Sequence, residues 1–313
     1  MPVIGTKIET GAAQLCAGKL VAFATETVYG LGADAQNPEA VERLYALKKR
    51  PRNHPVIIHL ADFSAASLWA AEIPQVAKKL AAAFMPGPLT LLLPAGPAAA
   101  HTTGGGKTVA LRVPAHPQAQ QLLAVFGGGV AAPSANRFGR LSPTTAAHVR
   151  EEFSTVEDLY ILDGGSCTVG IESTIVSCLN ERLSIMRPGM LSADDITTAA
   201  NGELLPPSGF LRVPGGLPCH YAPNTPLLLA PDVAWQRPPA KTIAALSRHR
   251  PDAVPKPLWR QATDNIDDYA HRLYALLREL DAMQADIIWV ESPPPQWTAV
   301  TDRLKRAAMR QPN

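Results

Sequence analysis

Apolar positions in this chain fall into two kinds of run. Short unbroken runs read as buried strands: Leu20–Ala24, Val56–Leu60, Leu89–Leu93, Val109–Val113, Val130–Ala132, Leu159–Leu162, Ser173–Ser177 and Leu183–Met186. Longer stretches, with apolar residues recurring every three or four positions, read as helices: Ile8–Gly18, Ala65–Ala71, Gln75–Phe84, Pro117–Phe126 and Thr145–Phe153, with a further start at Ser192–Asp195. Strands outnumber what strict strand–helix alternation would give. The expected fold class is therefore α/β, with a twisted mixed β-sheet carrying helices on its faces.

Periodicity breaks between Pro206 and Pro226, a stretch dense in Pro and Gly. A connector of this length is usually disordered or functional. Beyond it, Leu227–Leu229, Thr242–Leu246 and Ile287–Val290 read as strands, and Ile266–Leu280 and Val300–Met309 as helices. They suggest a small C-terminal Rossmann-like α/β domain, without the Gly-rich loop of a phosphate site. The expected organisation is 1–205 as the main domain, 206–226 as linker and candidate active-site lid, and 227–313 as the C-terminal domain.

The stretch Thr25–Pro51 organises the first domain. The strand Leu20–Ala24 runs into a hydroxyl-rich turn, Thr25-Glu26-Thr27-Val28-Tyr29-Gly30. A helix then starts at Asn37-Pro38, where Asn is a favoured N-cap and Pro fits the first helical position. Ala40, Val41, Leu44, Tyr45 and Leu47 give it one apolar face, and Pro51 ends it. Its last turn carries Lys48-Lys49-Arg50. Cations suit a helix C-terminus. They also suit a fork that grips phosphate oxygens, provided the helix has ended before Arg50 so that alternate residues converge.

Composition narrows the classes. The 313 residues are 46% hydrophobic and 18% charged, with net charge +2. That supports a substantial core and about two domains, and argues against gripping a long stretch of nucleic acid. Cys16, Cys167, Cys178 and Cys219 form no CxxC pair, which suits a reducing compartment. No charged-then-apolar export signal and no apolar run of about 20 residues is present, so a cytoplasmic, non-membrane protein is expected.

Several positions carry candidate chemistry. Pro133-Ser134-Ala135-Asn136 follows a buried strand and reads as an oxygen-binding nest or an ordinary turn. Arg112 lies within an apolar strand and needs a partner, either an ion pair or a ligand carboxylate. His59 ends a buried strand. Glu172-Ser173-Thr174 and Arg187-Pro188-Gly189 read as turns.

In their order, these pieces resemble the YrdC-type L-threonylcarbamoyladenylate synthase family. The matching motifs are TETVYGLG (25–32), KKRP (48–51), HPVIIHL (54–60), MPGPLTLLL (85–93), VALRVPAH (109–116), PSAN (133–136), SPT (142–144), ESTIV (172–176) and RPG (187–189). HYAP (220–223) and the unit after it resemble the family's long form. The resemblance implies synthesis of L-threonylcarbamoyl-AMP from L-threonine, bicarbonate or CO2, and ATP, with release of pyrophosphate. This is the first step of threonylcarbamoyl-adenosine modification of tRNA beside the anticodon. Carried over residue by residue, Lys48, Arg50, Ser134 and Asn136 form the catalytic signature. Arg50, His54, Thr108, Ser134, Ser142, Arg187 and Tyr221 contact ATP; Thr27, His59, Arg112, Ala132 and Ser173 contact L-threonine. Mg2+ is expected on the ATP phosphates, with no protein ligand assignable. Downstream threonylcarbamoyl-transferase proteins are the expected partners, and Arg137 and Arg140 leave a weak tRNA contact open.

Two other readings make different demands on the sequence. A hydrogenase-maturation carbamoyltransferase would carry an acylphosphatase segment and Cys-rich zinc motifs, which this sequence lacks. A double-stranded RNA-binding module would carry more positive charge. The physical chemistry suits the synthase: phosphoryl-group chemistry needs positioning and charge neutralisation more than covalent help.

Overall fold

The computed structural model describes residues 1–206, 212–216, 220–230 and 242–309. Strands β1 (Val3–Gly5), β2 (Leu20–Phe23), β3 (Gly30–Asp34), β4 (Ile57–His59), β5 (Leu89–Pro94), β6 (Thr108–Arg112), β7 (Val130–Ala131), β8 (Leu159–Leu162), β9 (Thr174–Ser177) and β10 (Ser184–Arg187) form one sheet. Their order is β1-β8-β2-β3-β7-β4-β6-β5-β9-β10. Pairing is mixed: β2 and β8 run parallel and β2 and β3 antiparallel, while β4 and β6 are parallel and both β4 and β3 run antiparallel to β7.

Helices cover both faces of this sheet. On one side α2 (Pro38–Lys48), α3 (Gln75–Phe84), α5 (Ala146–Glu152) and α6 (Ala193–Ala200) place Leu44, Leu80, Val149 and Ile196 in the largest apolar cluster. On the other, α1 (Ile8–Cys16) and α4 (Pro117–Phe126) place Leu15 and Leu122 against Val21 and Phe23. Burying such side chains contributes roughly 1.5–3 kcal/mol each.

Strands β11 (Leu227–Ala230), β12 (Ile243–Ser247), β13 (Trp259–Gln261) and β14 (Ile287–Glu291) form a second, wholly parallel sheet in the order β11-β14-β12-β13. Helices α7 (Ile266–Ala282) and α8 (Thr298–Ala308) pack on one face. The expected Rossmann-like layer is therefore present. No helix among the described residues is long and apolar enough to cross a membrane.

Three local expectations need correction. The stretch expected as helix at 65–71 is a 3-10 turn, Phe63–Leu68, capped by Asp62, and Trp69 leaves it to become buried. Gly30, read as the end of a turn, instead opens a central strand, Gly30–Asp34, that the pattern did not show. Gly32 suits it because an added Cβ would lie 2.8 Å from Val130 and 2.9 Å from Phe23. The short strands Val3–Gly5 and Trp259–Gln261 escaped the pattern. Of the 206–226 connector, residues 207–211 and 217–219 lie outside the described residues, as does Cys219.

Candidate functional site

The site grows from the C-terminal end of α2. Asn37 caps its start by accepting from the N–H groups of Glu39 and Ala40 at 3.0 and 3.1 Å. At its end Lys49 adopts the left-handed conformation at φ 52°. The helix thus stops before Arg50, as convergence of the two cations required. Lys48 and Arg50 turn inward and are buried, while Lys49 is exposed. The basic turn is not a solvated helix end.

Lys48 Nζ donates to the carbonyl oxygens of Ser134 and Asn136. The N–H of Phe138 returns a bond to the Lys48 carbonyl at 2.8 Å. The two distant loops therefore meet. Burial pushes the Lys48 ammonium well below its ordinary pKa, and Arg50 pushes the same way. The Ser-x-Asn turn is held against β3 by Leu31 N–H to Pro133 O at 2.8 Å and Ala135 N–H to Tyr29 O at 2.7 Å. Asn136 donates its amide to the carbonyls of Arg137 and Arg140, at 2.8 and 2.9 Å, leaving its buried Oδ1 unpartnered.

One cleft gathers most of the expected residues. Thr27, Arg50, His59, Arg112, Ala132, Ser134, Ser173, Arg187 and Tyr221 line it, together with Thr25, Glu172 and His220. Lys48, Asn136 and Ser142 are buried without lining it. Ser142 donates instead to Glu172 Oε1 at 2.5 Å. His54 packs its ring on Phe138 at 5.3 Å, and its carbonyl accepts from Arg50 Nε at 3.3 Å. Thr108 lines a separate recess with Asn53, Lys107 and Arg212. Arg137 packs over Phe153, and Arg140 Nη1 donates to Pro223 O at 3.4 Å, so both loop arginines have protein contacts.

The cleft lining combines hydroxyls, an imidazole and buried cations. Arg112 Nη1 donates to Thr27 Oγ1 at 2.8 Å, and Arg112 Nη2 to Glu26 Oε1 at 2.7 Å. The strand arginine therefore has a protein partner while still facing the cleft. His59 follows on β4, with Nδ1 buried and unpartnered. Burial, reinforced by Arg112, drops its pKa to about 3, so its ring is neutral at pH 7. Ser173 shares a 2.7 Å hydrogen bond with Thr90 and accepts from Arg187 at 3.0 Å.

Two further arginines line the cleft. Arg50 donates to Pro55 O at 2.7 Å, and Arg187 to Ser173 O at 2.9 Å and Pro214 O at 3.1 Å. Their hydrogen bonds run to carbonyls and to the Ser173 hydroxyl, which do not neutralise them. Glu172 is the counter-charge: burial alone would raise its pKa, but Arg303 and Arg187 outweigh that and hold it below the usual range. Tyr221, at φ 60°, lies over the cleft with its hydroxyl unpartnered.

Glu26, Phe138 and Arg303 escaped the sequence reading. Glu26 looked like a turn residue, although Arg112 demanded some such partner. Nothing local in the sequence marks Arg303, which lies on a helix rich in surface cations.

Fold and cleft together define a two-unit α/β protein whose site combines buried cations with hydroxyl and imidazole groups. The family described as "Telomere recombination" (Sua5_yciO_yrdC) matches residues 13–189, and "Threonylcarbamoyl-AMP synthase, C-terminal domain" matches 181–309. The chain is 35% identical to the threonylcarbamoyl-AMP synthase of Pyrococcus abyssi over 96% of this chain and 94% of that protein. It is 36% identical to the Bacillus subtilis synthase, over 96% and 93%. The crystal structure of P. abyssi Sua5 complexed with L-threonine superposes with a TM-score of 0.89 at 33% identity, covering 98% of this chain and 97% of that one. The chain belongs to the YrdC-type threonylcarbamoyl-AMP synthase family, in the form with an additional C-terminal domain.

Proposed function

We propose that this enzyme makes L-threonylcarbamoyl-AMP, as a nucleotidyltransferase in the pathway that modifies tRNA beside the anticodon. L-Threonine and bicarbonate or CO2 give N-carboxy-threonine. A carboxylate oxygen of that species attacks the α-phosphorus of ATP, the bond to the β-phosphate oxygen breaks, and pyrophosphate leaves. Threonylcarbamoyl-transferase proteins would consume the product.

The observation that carries this reading is one cleft lined by Arg50, Ser134 and Arg187 together with Thr27, His59, Arg112 and Ser173. The arginines neutralise the triphosphate, Arg50 as a planar fork suited to phosphate oxygens. Lys48 and Asn136 set the Ser-x-Asn turn through their hydrogen bonds to its carbonyls. The threonine carboxylate pairs with Arg112. Its hydroxyl and amine meet Thr27, Ser173 and the neutral His59 ring, whose free Nδ1 is a ready acceptor or donor. A site that pairs a hydroxyl rejects analogues lacking one, because its own polar groups are then left bare.

Magnesium would arrive with ATP. Glu26 and Glu172, the carboxylates nearest the cleft, are engaged by Arg112 and Arg303. The ion is therefore held by phosphate oxygens and water, the usual arrangement for this hard cation. Tyr221 and the described part of the connector, residues 212–216, act as a cover that shields the labile mixed anhydride from water. Gly215 allows close approach: any Cβ there would collide with the Tyr221 hydroxyl.

The test is pyrophosphate release from ATP, with the adenylate product identified by mass spectrometry. Release must require both L-threonine and bicarbonate. Equal release without threonine, or release driven by carbamoyl phosphate, would refute the reading.

A further inference from the structure

The loop that carries Ser173 into the cleft is tied to the first unit through Thr90 and Arg187 and also leans on the C-terminal unit. Gly170, at φ 83°, lies so close to α7 that a Cβ would sit 2.5 Å from the Ala270 carbonyl oxygen. Ile171, fully buried, joins the apolar cluster of α7, α8 and the second sheet. Glu172 Oε2 then accepts from Tyr274 Oη of α7 at 2.9 Å and from Arg303 Nε of α8 at 2.7 Å. Arg303 also donates to the Glu172 carbonyl at 3.4 Å, and its guanidinium lies 5.1 Å from the centre of the Tyr221 ring. The next residue is Ser173.

A second tie runs to the loop after the Ser-x-Asn turn. Arg278 of α7 donates to the Leu141 carbonyl at 2.6 Å, and Leu141 packs into the same cluster as Ile171. Ser142 follows, bonded to the other oxygen of Glu172. The Glu172 carboxylate is thus held by Tyr274 and Arg303 of the C-terminal unit and by Ser142 of the loop after the Ser-x-Asn turn.

From this we infer that Arg303 and Tyr274 are positioning residues for the synthase reaction: they clamp Glu172, and through it set Ser173, Ser142 and the lid tyrosine Tyr221. The C-terminal unit is therefore part of the machinery of the site rather than an appendage to it. No C-terminal-unit side chain needs to touch substrate. The effect is geometric, and shifts of an ångström at a reacting centre are enough to cost a large part of the rate.

The inference deepens the synthase reading and rests on it for its kinetic arm. The experiment uses the full chain with Arg303→Met, which keeps volume and removes charge, Arg303→Lys, Tyr274→Phe and Glu172→Gln. Val254→Ala serves as the control: Val254 is fully buried on the opposite face of the second sheet. The expected result is at least a tenfold fall in kcat/KM for L-threonine in Arg303→Met, partial recovery in Arg303→Lys and a smaller loss in Tyr274→Phe. Arg303→Met with Glu172→Gln should lose no more than the worse single variant, because residues acting as a unit are not additive. The acid limb of the rate profile should move to higher pH in Arg303→Met, since Glu172 then faces Arg187 alone among cations. Val254→Ala should lower thermal stability and leave the rate unchanged.

Amide hydrogen exchange of residues 170–174 reads the same clamp without substrate, and should speed up in Arg303→Met but not in Val254→Ala. Wild-type kcat/KM and unchanged exchange in Arg303→Met would overturn the inference, as would losses that track stability equally in Val254→Ala. If Arg303→Met does not fold, unaltered kinetics and exchange in Tyr274→Phe overturn it. A wild-type chain that releases no pyrophosphate sinks the synthase reading alone, and the exchange result then decides this one.

Discussion

The two sheets use their interiors differently. Around the ten-stranded sheet, buried polar and charged side chains are many, among them Glu26, Thr27, Lys48, Arg50, His59, Arg112, Asn136, Glu172, Ser173 and Arg187. Within the four-stranded unit, among the described residues, the buried ones are Ser247 and Arg303, and Arg303 is turned toward the first unit. Burying a charge is costly unless it is paired and hydrogen-bonded. The first unit accepts that cost in order to hold a charged ligand. The second is built for stability, and its one buried cation serves the other unit.

Five perturbations test that contrast, taken from the largest expected effect downward. Arg112→Ala leaves Glu26 buried without its cation and should destabilise by about 3–5 kcal/mol in urea unfolding. Activity should disappear with it. In the second unit Ile243→Ala, at a buried core position on the sheet face away from α7 and α8, should cost about 2–5 kcal/mol while turnover at a temperature where the chain stays folded is kept. Loss of turnover there, at full foldedness, would erase the contrast.

Next comes Lys48→Met. Removing a preorganised cation beside the Ser-x-Asn turn should lower kcat by about a hundredfold, with circular dichroism unchanged. A wild-type rate would reduce Lys48 to a brace for the turn.

The pH effect is smaller. His59 has its pKa lowered from the ordinary 6.5 to about 3 in the folded chain. Between those values the unfolded chain binds a proton that the folded chain does not. Stability should therefore fall as pH drops from about 6.5 toward 3, by up to about 1.4 kcal/mol per pH unit, and not change above that window. His148, lowered to about 4, acts in the same direction. Urea midpoints at pH 7.5 and 5.5 measure this, and His59→Gln should flatten the slope. The smallest effect belongs to the exposed pair Arg272–Asp268, 3.5 Å apart on α7. Arg272→Ala should shift stability by less than about 0.5 kcal/mol.

Local signals were readable where physics is local. Asn37-Pro38, the three- and four-residue spacing and Pro51 marked α2 from cap to stop. Arg112 inside an apolar strand announced that a partner must exist. The partner itself, Glu26, lies far off in sequence, and no local pattern encodes such a pairing. Lys48 was harder, because a basic last turn looks the same whether it faces water or carbonyls. Gly30 and Gly32 disguised a central strand, since the close approach of Phe23 that calls for glycine is visible only in three dimensions. The gathering of Arg50, Ser134 and Arg187 became legible through the order of motifs along the whole chain. The clamp on Glu172 did not, because it is made by side chains of the other unit.

The left-handed turn at Lys49 makes loop length itself a constraint. Its single reversed residue is what lets neighbours on either side of it point the same way. Adding or deleting one residue between the two cations would rotate one of them outward, leaving helix and strand whole but the buried pair parted. In this short segment, a change in spacing would do more harm than most changes of residue type.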